Sequence, residues 1–297
     1  VQGCAEKHPH KLSWDDLDFV VDVGVNDLGV EAIRITGGEP TVRPGLVEWV
    51  AGIRRHQTLR DVSMTTNGAL LERLAQPLAE AGLSRVNVSL DSFRADRFAT
   101  ITRGGSLERC QRGIAAALRK FSRVKLNAVL LRGVNDDEIP EFIAYAHEHA
   151  LEVRFIELMP IFGEKEFYHR HFISTEEVKE RIADAGHRIS PLLDDAGGYG
   201  PATRYRVEGT QARVGFISQM SDTKCATCNK LRLTSDGALK PCLLSPAEVD
   251  LAPAIVERDR ESVAHAMRVQ FLERAERYDL VQALADPFRR GMQATGG

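Results

Sequence analysis

Cys225, Cys228 and Cys242 are the residues of this chain whose type and spacing most directly suit chemistry. The first two form a C-x2-C pair, and the short turn between such residues brings both sulfurs to one point. Before the third comes Leu231–Pro241, where apolar residues flank Ser235-Asp236-Gly237. That is a turn signal in which glycine supplies a positive φ, so a hairpin would fold Cys242 back beside the first pair. Three thiolates without a fourth leave a coordination position open. A structural zinc is closed by four ligands, so the pattern fits better an open iron–sulfur or zinc site whose last position receives substrate. Lys230 and Arg232 lie between the thiolates, with Lys224 and Lys240 close in sequence. Such a rim of positive charge suits an anionic ligand. Five cysteines in 297 residues are not the usage of a disulfide scaffold.

A second set of polar residues is spread through the first half. Arg34 and Thr36, Thr65 and Asn67, Asn87 with Ser89 and Asp91, and Lys125 and Asn127 alternate at period two within apolar runs. Arg154 adds another cation in the last run. Period two places each set on one face of its strand. Parallel sheets are ordinarily apolar on both faces, so five consecutive strands with a polar face predict the lumen of an open barrel that holds a ligand. Arg34, Lys125 and Arg154 are expected to be buried there and to converge on one anion.

The elements that must carry these residues are regular. Ser13 predicts the N-cap of a helix to about Leu28, with Asp16 in a capping-box position. Apolar runs Ala32–Gly38, Val62–Asn67, Arg85–Asp91, Val124–Leu131 and Glu152–Met159 have strand length and β-branched content. Helical stretches at 44–55, 70–82, 106–120 and 136–149 separate them, which is the βαβ pattern of a parallel sheet or barrel. Gly37-Gly38 at the exit of the first strand would let a ligand approach the backbone. Residues 160–173 read as irregular, with His169 and His171 as loop residues. A helix near 174–186, a Gly-rich loop at Gly197-Gly198-Tyr199-Gly200, strands at 204–208 and 212–220, and helices at 256–275 and 279–290 complete the chain. A formal charge of −3 gives no reason to expect nucleic acid, and no apolar run reaches the roughly 18 residues of a membrane span. Cysteine usage fits a reducing cytoplasm.

Several stretches closely resemble one family, GTP 3′,8-cyclase, the radical S-adenosylmethionine (SAM) enzymes that open molybdenum cofactor biosynthesis. They are I-R-I-T-G-G-E-P (33–40), M-T-T-N-G (64–68), V-N-V-S-L-D (86–91), F-x2-I-T-R (98–103), G-V-N-D-D-E-I (133–139) and R-F-I-E-L-M-P (154–160). In the second half, G-F-I-S (215–218), C-x2-C-N-x-L-R-L-T-S-D-G (225–237), P-C-L-L (241–244) and the terminal Gly-Gly match as well. The resemblance implies an α/β fold, an incomplete parallel TIM-like barrel over 1–160. A C-terminal α+β region over 161–297 would carry a second iron–sulfur site. It implies two [4Fe–4S] clusters and SAM, whose cleavage gives a 5′-deoxyadenosyl radical that takes hydrogen from the GTP ribose. Cys225, Cys228 and Cys242 would hold the auxiliary cluster. Gly38, Ser89 and Met159 would line the SAM site, and Arg34, Thr65, Lys125, Arg154, Lys230 and Arg232 would hold GTP. Arg232, Gly296 and Gly297 would act closest to the radical chemistry. A homodimer, and hand-off of product to cyclic pyranopterin monophosphate synthase, are implied partners.

Three departures qualify the match. The family's first-cluster motif, C-x3-C-x2-C, is not among the 297 residues, and Cys4 and Cys110 lack the spacing to replace it. The expectation is a chain cut just past that loop and unable by itself to turn over. Lys230 stands where the family has arginine, keeping the charge but not the bidentate fork. Ala32 stands where some members have a further lysine. Another radical SAM enzyme with an auxiliary cluster, or a non-catalytic GTP- or metal-binding homologue, are the alternative readings.

Overall fold

The computed structural model describes residues 11–160, 165–192, 200–222, 228–243 and 248–273. In chain order the first elements are α1 (Trp14–Leu28), β1 (Ala32–Ile35), α2 (Leu46–Ile53), β2 (Asp61–Thr66), α3 (Leu71–Glu80) and β3 (Arg85–Ser89). Then come α4 (Ala95–Ile101), α5 (Leu107–Lys120), β4 (Val124–Val129), α6 (Ile139–Glu148) and β5 (Glu152–Ile156). They are followed by α7 (Lys165–His171), α8 (Thr175–Asp184), β6 (Ile189–Pro191), β7 (Thr203–Val207) and β8 (Arg213–Ile217). The last are β9 (Arg232–Leu233), β10 (Ala238–Lys240), β11 (Val249–Asp250), α9 (Ala252–Val256) and α10 (Arg260–Glu273). All five expected strands of the first half are present, each ending one to three residues early where the chain turns to leave the sheet.

These elements fall into two compact units interleaved along the chain. The described part of one comprises 63–160, 165–192 and 200–222, and that of the other 11–62, 228–243 and 248–273. In the former, strands follow the order β2-β3-β4-β5-β8-β7-β6. Pairing is parallel from β2 through β8 and antiparallel from β8 to β6. The sheet is open, an incomplete α/β barrel. One face is apolar across β3, β4, β5 and β8: Val86, Val88, Leu126, Ala128, Val153, Phe155, Val214 and Phe216 are buried. α5 turns Cys110, Ile114 and Ala117 inward, and α3 packs beside it. A Cβ on Gly113 would stand 2.0 Å from the carbonyl oxygen of Gly68, so the absence of a side chain sets that approach.

In the other unit, the capping box foreseen at Ser13 and Asp16 starts α1. Val20 and Val23 of α1 pack with Leu239, Leu251, Ile255, Val263 and Met267. Arg258 pairs with Asp16 at 2.7 Å, and Arg260 pairs with Asp22 at 2.6 Å and Asp27 at 2.7 Å, tying α10 to α1. β1 enters here, and the Glu31 carbonyl before it accepts from the amides of Arg60 and Asp61 at the start of β2.

Among the described residues three helices were not expected. α4 covers part of the F-x2-I-T-R stretch, α9 precedes the helix expected from 256, and α7 replaces the irregular segment, with Tyr168 buried against Phe172 at a ring separation of 5.2 Å. The Cys4–His10 lead-in, Gly197–Tyr199 and the helix expected at 279–290 lie outside the described residues. No helix among the described residues is long and apolar enough to cross a membrane.

Candidate functional site

Strand register turns the period-two pattern into a surface. Thr65 pairs with Asn87, Asn87 with Lys125, Lys125 with Glu152, and Glu152 with Arg213. Two residues further along, Ser89 pairs with Asn127, Asn127 with Arg154, Arg154 with Gly215, and Gly215 with Arg204. These two adjacent rows share the face opposite the apolar one. The polar face foreseen from alternation is continuous across this unit.

Glu152 gathers its cations. Its carboxylate lies 3.3 Å from Lys125 Nζ, 2.5 Å from Arg154 Nε and 2.6 Å from an Arg204 terminal amine. Glu152 and Arg154 are each 3% exposed. Burial alone would raise the Glu152 pKa, but Arg154, Lys125 and Arg204 outweigh it and hold the group at about 2. Burial, reinforced by the neighbouring arginines, pulls Lys125 down to about 7. Gly215 makes room for the group, since a Cβ there would come within 3.2 Å of Arg154 Cγ and 3.4 Å of Glu152 Oε1. The Arg154 terminal amines face Gly200, whose added Cβ would lie 3.5 Å from both. With Nε held by Glu152, the outer edge of the guanidinium is presented for a second anion.

Beside the cations are two orphaned acceptors. Asn87 Oδ1 and Asn127 Oδ1 are buried and have no hydrogen-bond partner in the described structure. A buried polar atom without a partner is costly, and a ligand bearing N–H or O–H groups would satisfy it. Asn87 is the register partner of Lys125 and Asn127 that of Arg154, so each orphaned acceptor sits on the strand beside a cation.

Arg34 departs from expectation. It is exposed on β1 rather than buried, because this four-residue strand is only partly covered. It belongs to the unit of 11–62, whereas Lys125 and Arg154 belong to the other. Of the three cations expected to converge, Lys125 and Arg154 meet around Glu152.

The hairpin forms as read. β9 pairs antiparallel with β10, Arg232 opposite Lys240 and Leu233 opposite Leu239. Gly237 has a φ of 92°, and Thr234 Oγ1 accepts from the Ala238 amide at 2.9 Å. Burial pulls the Arg232 pKa below its ordinary value, while the charges of Cys242 and Cys228 act in the opposite direction. Both thiols therefore lie within electrostatic reach of one guanidinium. Lys230 is partly buried on the approach to β9. Cys225, Gly296 and Gly297 lie outside the described residues.

Ser89 ends β3, Met159 lies three residues beyond β5, and Gly38 follows β1 as an exposed residue. Gly37 has a φ of 148° with nothing within 4 Å of an added Cβ, so backbone is open to approach there.

Residues 4–146 match the Radical SAM superfamily, and residues 151–280 match Molybdenum Cofactor Synthesis C. GTP 3′,8-cyclase of Alkaliphilus oremlandii is 40% identical over 295 residues, 99% of this chain and 90% of that protein. The enzyme of that name from Pelotomaculum thermopropionicum is 42% identical over 293 residues, 98% and 89% of the two chains. Among solved structures, Streptococcus suis SuiB has a TM-score of 0.56 at 14% identity, covering 88% of this chain and 63% of its own. Native anSMEcpe with bound AdoMet has a TM-score of 0.54 at 15% identity, covering 86% and 74%. These two share the fold. The sequence relatives go further, and the chain belongs to the GTP 3′,8-cyclase family of radical SAM enzymes.

Proposed function

We infer that this chain, joined to the family's C-x3-C-x2-C loop, catalyses the radical SAM-dependent cyclisation of GTP to 3′,8-cyclo-7,8-dihydro-GTP, the first step of molybdenum cofactor biosynthesis, and that the 297 residues alone, which hold no ligand set for the SAM cluster, do not turn over. The observation that carries the reading is the paired row on the open sheet: Lys125 and Arg154 around Glu152, with the unsatisfied acceptors of Asn87 and Asn127 between strands. Bound SAM and its [4Fe–4S] cluster would supply the carbon radical, which is chemistry no side chain of this chain can perform. The chain's own residues bind and orient. Lys125 and Arg154 hold phosphate oxygens, Arg154 through the edge of its guanidinium left by Glu152. Thr65, Asn87 and Asn127 present hydrogen-bonding groups to the nucleoside, and the family resemblance assigns GTP contacts to Arg34, Lys230 and Arg232 as well. Ser89, Met159 and the open backbone at Gly37-Gly38 would hold SAM.

Cys225, Cys228 and Cys242 would hold an auxiliary [4Fe–4S] cluster, whose iron left without a thiolate would be available to substrate, and Gly296 and Gly297 would help arrange the site. In function, the SAM half would end near residue 160 and the auxiliary-cluster half would follow. A cytoplasmic homodimer that passes its product to cyclic pyranopterin monophosphate synthase completes the proposal. The test is anaerobic turnover, with SAM, dithionite and either GTP or a peptide panel, of the cluster-loaded protein carrying the C-x3-C-x2-C loop, beside the 297 residues alone, from which no 5′-deoxyadenosine is expected. Formation of 5′-deoxyadenosine with conversion of GTP is expected from the former. Peptide modification with no GTP conversion would assign the chain to other radical SAM chemistry.

A further inference from the structure

We propose that Arg206 and Arg213, with Arg204, form a seat for the terminal phosphoryl groups of the bound nucleotide. The proposal deepens the reading of GTP as substrate and rests on it. A cavity of about 580 Å³ opens where β7 and β8 run antiparallel, lined by Arg204, Arg206 and Arg213 with Thr210 and Gln211. Arg206 and Arg213 are direct register partners. Like charges directly opposite on one face repel, and a sheet carries such a pair at a cost unless an anion joins them. Neither arginine has an ion pair or a side-chain hydrogen bond among the described residues, in contrast to Arg204, which grips Glu152 at 2.6 Å.

The pair is not isolated from the nucleotide site. Lys125, Glu152, Arg213 and Arg206 are successive register partners across β4, β5, β8 and β7. Arg213 thus lies two strands from Lys125, about 10 Å at the usual strand spacing. Arg204 lines the cavity and shares Glu152 with Lys125 and Arg154, so it bridges the two groups of cations. A chain of phosphoryl groups that starts at Lys125 and Arg154 follows the row toward Arg213 and Arg206. Each planar guanidinium offers a paired N–H edge to phosphate oxygens. A monophosphate does not extend along it, so the seat discriminates by the number of phosphates.

The same chemistry would accept free phosphate or pyrophosphate, and titration calorimetry separates the sources. Wild-type holoprotein, R206Q/R213Q and R206K/R213K are titrated with GTP, GMP, guanosine, pyrophosphate and inorganic phosphate. Wild type is expected to bind GTP more tightly than GMP. R206Q/R213Q is expected to lose about tenfold or more in GTP affinity while GMP and guanosine are unchanged, with the lysine variant intermediate. Both arginines are exposed, so the variants are expected to keep the wild-type melting temperature. Equal GTP affinity in wild type and R206Q/R213Q overturns the proposal. So does a loss confined to pyrophosphate or phosphate, which would make the seat a site for free anions. Wild type that binds no GTP at all refutes the functional reading itself, a distinct outcome.

Discussion

Glu152, Lys125 and Arg154 show how a buried carboxylate conditions an anion site. With its folded-state pKa at about 7, Lys125 is poised to gain a proton when an anion arrives. Binding of GTP or pyrophosphate between about pH 7 and 8 is therefore expected to take up a proton. Calorimetry in two buffers of different ionisation enthalpy reads that uptake, and Lys125→Met should abolish it; heats independent of the buffer would refute the assignment. The stability consequences have opposite windows. Lys125 is depressed from 10.5 to about 7, so between those values the unfolded chain binds the proton that the native chain has lost, and stability rises with pH. Glu152 is depressed from 4.5 to about 2, so its contribution is present above 4.5 and is lost as pH falls through 2. Glu152→Gln leaves three cations facing one another and is expected to lower stability by about 3–5 kcal/mol. Urea unfolding measures the loss, and part of it should return with added pyrophosphate. Lys125 and Arg154 were legible in the sequence because a cation inside an apolar strand demands a reason. Glu152 was not, since the first residue of a strand reads as a boundary, and Arg204 was lost in a strand whose alternation reads as solvent exposure. The Arg34 signal was the same as that of Lys125, but its short strand leaves it exposed.

At the scale of elements, the hairpin positions chemistry through one turn. Gly237 adopts φ 92°, donates its amide to the Thr234 carbonyl at 3.1 Å and accepts from the Leu251 amide at 2.9 Å. A Cβ there would stand 2.8 Å from Ala252 Cβ and 2.9 Å from Ala252 Cα at the start of α9. Gly237→Ala is thus both strained and crowded, at a cost of about 1–3 kcal/mol. The variant is expected to melt earlier and to retain less iron after anaerobic reconstitution, because Cys242 follows β10 by two residues. Full iron content with an unchanged melt would mean that the hairpin does not place the thiol. This element was readable because turn chemistry and apolar flanks agree within a dozen residues. The parallel strands were readable for the same reason, repeated five times. α7 was not, because seven residues give less than two turns, too few for a helical period to show against its histidines.

Across the whole molecule, the proposed chemistry depends on parts remote in sequence acting together: the SAM residues of the first half, the cysteine hairpin and the terminal glycines. Order of strands in the open sheet follows from the βαβ rhythm, but the interleaving of the two compact units does not, since it is set by which apolar faces α1, α9 and α10 find. If SAM cleavage and GTP conversion belong to different parts, they should be separable. In the protein carrying the family's C-x3-C-x2-C loop, Cys228→Ser is expected to lower iron by about four per chain, the content of one cluster. It should still release 5′-deoxyadenosine from SAM and dithionite while losing conversion of GTP. Adding a bulky residue after Gly297 should also stop conversion, because only residues without side chains thread a crowded cavity, yet it should leave iron content and the melt unchanged. The contrast identifies each part: iron distinguishes the hairpin from the tail, and 5′-deoxyadenosine shows that the SAM end survives both changes. Loss of 5′-deoxyadenosine with Cys228→Ser would place that thiol at the SAM cluster instead, and full conversion by the extended chain would leave the terminal glycines without a role.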